Sequence, residues 1–115
     1  MDPISAAIIG KALDGLSMRS MATAENIANA NSASFRPARV TFEEALRAAS
    51  AAGGADAVRE VEPQLVRDPA VEGDAQVRLD LELATASATG LRYAALLDLL
   101  SRQIQIQRTA ITGGQ

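Results

Sequence analysis

The sequence predicts a mainly α fold: long N- and C-terminal helices pairing as an antiparallel coiled-coil-like bundle, a short helix after the first break, and an irregular or short-β middle segment. Three observations predict it. Aromatics are only 3% of the 115 residues, and the 48% apolar content leans on alanine, which suits helices lying side by side. Apolar residues recur at heptad spacing along the last third of the chain. An amphipathic segment with a ready-made cap opens the chain. Four segments are expected, at 1–32, 33–50, 51–78 and 79–115.

The first helix is expected from Asp2 to about Ser32. Asp2 can cap it, with Pro3 at the first helical position, where its missing N–H is harmless. Ile9, Leu13, Leu16, Ser20, Ala24 and Ile27 recur every three or four residues and mark one face. Gly10 and Gly15 each cost about 1 kcal/mol relative to Ala, so the isolated helix is marginal. Its end carries Asn26, Asn29 and Asn31. Each costs roughly 0.7 kcal/mol relative to Ala, yet each amide both donates and accepts hydrogen bonds. Such a run suits either a helix end followed by a turn or docking on neighbours.

Ser32-Ala33-Ser34-Phe35-Arg36-Pro37 is a break, since Pro37 disfavours helical geometry at Arg36. A short helix follows. Thr41 and Glu44 form an S/T-x-x-E capping box with Val40 as a weak staple. Phe42, Ala45, Leu46 and Ala49 supply the apolar face, and Arg47 falls four residues after Glu43, a modest surface pair.

From Ala51 to Arg78 the pattern dissolves. Ala51-Ala52-Gly53-Gly54-Ala55-Asp56 is linker-like. Val58–Val61 and Gln64–Val66 suit short edge strands limited by Pro63 and Pro69, and Glu72-Gly73-Asp74 suits a turn. A loose hairpin and a disordered stretch both remain open.

The last helix is the strongest. Asp80 can cap it. Leu83, Ala86, Gly90, Tyr93, Leu97, Leu100, Ile104 and Ile111 then make a heptad seam of about four repeats. Leu91, Leu96, Leu99 and Ile106 widen the apolar surface, so this helix needs more than one partner. Gly113-Gly114 ends it.

Several functions are disfavoured. A net charge of −3 opposes non-specific nucleic-acid binding, no stretch spans a membrane, and the N-terminus has no secretory signal of the usual kind. With no Cys, no His and a single lysine, the chain offers no thiolate, imidazole or Cys-based metal site. No catalytic, cofactor or metal residues are therefore assigned. Glu43 and Glu44 point about 100° apart on a helix, which fits capping better than acid–base work. Asp68, Glu72 and Asp74 lack EF-hand spacing and suit a solvated turn. Arg92 and Tyr93 fit a cation–aromatic pair on a partner surface as well as a core-edge tyrosine beside a solvated arginine.

Ala12-Leu13-Asp14-Gly15-Leu16, then Glu25-Asn26-Ile27-Ala28-Asn29-Ala30-Asn31, then Phe35-Arg36, resembles the N-terminal signature of the flagellar rod, hook and filament-axis proteins. That signature runs N-N-I-A-N-A-N-T-P-G, then an aromatic and a basic residue. Ala38–Leu46, Val77–Leu83, Leu91-Arg92-Tyr93, Leu99–Arg102 and Arg108–Ile111 resemble the proximal-rod branch of that family. The departures are Ser32-Ala33-Ser34 for T-P-G, Glu25 and Thr89 where Asn is usual, Arg78 where Asp is usual, and a shortened middle.

The resemblance implies a non-enzymatic rod subunit without cofactor, exported without a cleaved Sec signal through the flagellar type III machinery and assembled in the periplasmic basal body. Its partners would be other rod proteins, the junction of the MS ring with the export gate, and copies of itself, with no nucleic acid or small-molecule substrate. The expected assembly interface is Leu13, Leu16, Asn26, Ile27, Asn29, Asn31, Phe35, Leu83, Tyr93, Leu97, Leu100, Ile104 and Ile111. Three alternatives differ in partner or chemistry: another short proximal rod protein, a free-standing helical adaptor dimerising through Leu83–Ile111, and a small enzyme using Glu43 or Glu44.

Overall fold

A computed structural model describes residues 1–69 and 77–113. Its elements in order are α1 (Pro3–Ala28), β1 (Ala38–Thr41), α2 (Glu43–Ala52), α3 (Gly54–Arg59), β2 (Gln64–Arg67) and α4 (Leu79–Gly113). The protein is mainly helical, with one small two-stranded sheet. It is elongated, with Cα extents of 68 × 28 × 13 Å. Its radius of gyration is 18.0 Å, against about 13 Å for a compact chain of this length.

α1 begins as its sequence dictates. The Asp2 carboxylate accepts from the Ser5 backbone N–H at 2.7 Å, and Pro3 opens the helix. The helix stops at Ala28 rather than Ser32. Asn29 caps it, and its side-chain Nδ2 donates to the Glu25 carbonyl at 2.9 Å. The amide competes with the backbone for that carbonyl, which makes Asn a terminator here. Ser34 then turns the chain with φ of +68°.

The next stretch corrects two expectations. Ala38–Thr41 is a strand, paired antiparallel with β2 in the register Ala38↔Arg67 through Thr41↔Gln64. Thr41 is drawn into that ladder, so it cannot cap α2. Phe42 takes the cap position without a side-chain bond, and the capping box does not form. Arg47 pairs with Glu44 at 3.2 Å, because Glu43 is held elsewhere by Arg19.

The linker-like stretch is helical. α2 runs to Ala52, Gly54 makes the corner with φ of +75°, and α3 follows. The expected Val58–Val61 strand is absent. Val58 ends its run inside α3, and a three-residue step turns Val58 and Val61 to the same side, where both are buried. The partner of β2 is therefore β1, across the intervening helices. The Glu72-Gly73-Asp74 turn lies outside the described residues.

Helices α1 and α4 lie antiparallel. Asn26, near the end of α1, bonds Glu82, near the start of α4, while Ile8 and Ala12 share a groove with Ala95 and Leu96. α4 starts at Leu79, so Asp80 sits inside the first turn rather than capping it and binds Arg78 at 2.9 Å. At 35 residues, α4 is nine longer than α1, and every residue from Ile104 to Gly113 is exposed.

The core belongs to the first half of the chain. Leu16, Ala22, Ala38, Val40, Phe42, Leu46 and Val58 form it, with Leu96 of α4 packed at its side. Gly15 lets the Phe42 ring lie on α1. A Cβ there would come within 2.6 Å of Phe42 Cγ, so the helix accepts a glycine at that site.

Candidate assembly surface

The surface is built around one buried polar hub. Asn26 Nδ2 donates to the Ala38 carbonyl at 2.9 Å, and Asn26 Oδ1 accepts from the Ala38 N–H at 2.8 Å. The amide thus satisfies both main-chain groups of a strand residue, as a neighbouring strand would. The same Nδ2 donates to Glu82 Oε2 at 3.1 Å, and Arg39 Nη1 donates to Glu82 Oε1 at 2.5 Å. Arg39 also reaches Asp68 at 3.3 Å. Asn26 and Glu82 are both fully buried. The hub pins α1, β1 and the start of α4 at one point.

Away from the hub α4 is loosely covered. Among its described residues, Glu82 and Thr89 are the buried ones, and both are polar. By contrast, ten of the fourteen exposed large hydrophobic side chains among the described residues belong to α4. Seven of the ten fall in two stripes. Leu83 (53% exposed), Leu97 (43%), Ile104 (45%) and Ile111 (73%) form one, and Leu81, Leu99 and Ile106 form the other. The inward side, with Glu82, Thr89, Leu96 and Gln103, runs between them.

A groove flanks each side of the α1–α4 contact. One, of about 350 Å³, lies along Leu16, Ser17 and Ser20 of α1 and Gly90, Tyr93 and Leu97 of α4. The other, of about 450 Å³, is floored by Ile8, Ala12, Leu16, Phe42, Leu46 and Leu96. Its rim is charged. Arg19 holds Glu43 at 2.6 Å and lies 4.9 Å from the Phe42 ring, and Arg92 approaches Glu43 at 3.8 Å. The Arg19 hydrogen bond keeps the Glu43 carboxyl below its usual range. Glu43 and Glu44 turn to different partners and do not converge. The close cation–aromatic contacts are Arg19 with Phe42 and Arg67 with Phe35, at 5.7 Å, rather than Arg92 with Tyr93.

The residues expected at an interface separate into three groups. Leu83, Tyr93, Leu97, Ile104, Ile111 and Asn31 are exposed. Leu13, Ile27, Asn29, Phe35 and Leu100 are partly covered. Leu16 and Asn26 lie in the core, so in the single chain they are closed to a neighbour. Asn26 is internal because its amide completes the strand edge, and Asn29 is a helix cap. Glu82, Thr89 and Arg39 were not among the expected interface residues. The legible signal for Glu82 is an acid set between Leu81 and Leu83 at a helix start.

The chain matches no protein-family model and no curated protein.

Proposed function

We propose that this chain is a structural subunit of the proximal rod of the bacterial flagellum, of the FlgB type, polymerising through its terminal helices. In this role it links the membrane ring and export apparatus to the distal rod. It is not an enzyme and takes no cofactor, nucleic acid or small-molecule substrate. It leaves the cell interior through the type III machinery without a cleaved Sec signal and takes its place in the periplasm. There it contacts copies of itself, other rod proteins and the junction between the MS ring and the export gate.

One observation carries the assembly role: α4 buries two polar residues and leaves two apolar stripes in water. Fully burying a Leu or Ile side chain is worth about 1.5–3 kcal/mol. Most of these are about half exposed, so covering each gains about half of that, and such a helix gains from neighbours that extend the α1–α4 pair into a coiled-coil-like bundle. The motif order at both ends of the chain supports the choice of assembly. The nearest rival is another short proximal rod protein of the same family.

The exposed Leu83–Ile111 stripe also favours a free-standing adaptor dimer. Sedimentation at low concentration separates the two. A rod subunit is a monomer, and an adaptor is a discrete dimer. In the bacterium that carries the gene, deletion should abolish swimming, and the chain should be present in purified basal bodies. A motile deletion strain, with basal bodies lacking the chain in the parent, would end the rod proposal.

A further inference from the structure

Helix α4 has two faces, one residue apart, that α1 can cover. The face turned inward carries Glu82, Thr89, Leu96 and Gln103. The next carries Leu83, Gly90, Leu97 and Ile104. Successive residues lie about 100° apart around a helix, so rotation of α4 on its axis exchanges the faces without sliding it along α1. Apolar transfer alone favours burying the second face. The protein buries the first.

The hub accounts for the choice. Rotation would withdraw the Glu82 carboxylate from Arg39 Nη1 and Asn26 Nδ2 together. Asn26 cannot follow, because both of its polar atoms are engaged by Ala38. Arg39 is exposed and keeps Asp68, but the buried Asn26 amide would be left one acceptor short, the costly side of hydrogen-bond exchange.

We infer that Glu82, through Asn26 and Arg39, is a positioning residue that selects which face of α4 is presented outward. It holds the more polar face against α1 and keeps Leu83, Leu97 and Ile104 outside. The selection is a property of the single chain. Its consequence, a surface held open for neighbouring copies, rests on the assembly role proposed above.

The 115-residue chain has no cysteine, so single thiols report the face directly. Thr89→Cys and Gly90→Cys place one on each face, one buried and one exposed. With Glu82 intact, the thiol at position 90 should react with a soluble maleimide at least about tenfold faster than the one at position 89, as protection in the folded state requires. In a Glu82→Leu background the order should invert. In Glu82→Gln, which keeps the shape and one acceptor, the order should hold with a smaller ratio.

An unchanged order in Glu82→Leu overturns the inference. So does loss of cooperative unfolding in that variant, because Glu82 is then required for folding and selects nothing. Sedimentation of Glu82→Leu at high concentration tests the consequence separately. Inversion with loss of self-association supports both. Inversion with self-association intact leaves the selector standing and removes the assembly role of the Leu83–Leu97 face.

Discussion

Asn26 and Glu82, 56 residues apart in sequence, meet at 3.1 Å where α1, β1 and α4 converge. The contact joins the two long helices through a fully buried amide and a fully buried carboxylate.

Removing the amide should therefore be severe. Asn26→Ala strips both main-chain groups of Ala38 of their partner and leaves Glu82 one donor short. Loss of about 3 kcal/mol or more is expected in urea unfolding followed by circular dichroism. A change below about 1 kcal/mol would show that the hub contributes little.

Two glycines of α1 should respond in opposite directions to one substitution. Gly10→Ala meets open space and should stabilise by about 0.5–1 kcal/mol. Gly15→Ala must displace the Phe42 ring and should destabilise by about 1–3 kcal/mol. Equal shifts in melting temperature would contradict the Gly15–Phe42 packing.

Ser34 holds φ of +68°, a left-handed backbone that favours glycine. Left-handed backbone costs an L-residue about 1–2 kcal/mol, and glycine avoids most of it. Ser34→Gly should raise stability by up to about 1 kcal/mol after the added freedom of the unfolded chain is subtracted. A drop in thermal midpoint would mean that the serine hydroxyl matters more than the backbone.

The Arg19–Glu43 pair gives the fold a small dependence on acid. Glu43 is lowered from 4.5 by its hydrogen bond to Arg19. A carboxylate lowered on folding contributes its full stabilisation above the unfolded value and loses it as pH falls through the folded one. Glu43 is about half exposed, so the effect should stay below about 1 kcal/mol. Thermal unfolding between pH 6 and pH 3, a range chosen to bracket 4.5, should be steeper in the parent than in Glu43→Gln. Identical slopes would remove the pair from the account.

Leu97→Asp and Ile104→Asp change exposed positions and should leave monomer stability within about 0.5 kcal/mol. On the rod proposal, both should abolish incorporation into the rod and motility. Asn29→Leu removes a cap bond and should impair assembly more than secretion. Normal swimming of the aspartate variants would contradict the docking role of α4.

Both long helices were legible because caps and periodicity are local. Asp2 with Pro3 and the Leu83–Ile111 heptads needed no tertiary knowledge. The rotation of α4 was not legible. Hydrophobicity favours Leu83, Gly90, Leu97 and Ile104, whereas a bond to Asn26 on a distant helix turns Glu82 and Thr89 inward. β1 was hidden for a similar reason. Ala38–Thr41 is too short to signal a strand, and its partners, β2 and the Asn26 side chain, come from elsewhere in the chain. The helical turn at Val58 was masked by the glycines ahead of it, although Gly54 serves only as the corner.

The last ten described residues of α4, from Ile104 to Gly113, are all exposed, and α4 is nine residues longer than α1. In the assembly proposed above, a column of such units laid end to end would be directional, because the two long helices differ in length and its two tips are unlike. Under that proposal, ending the column would take a protein shaped to fit one tip and not the other.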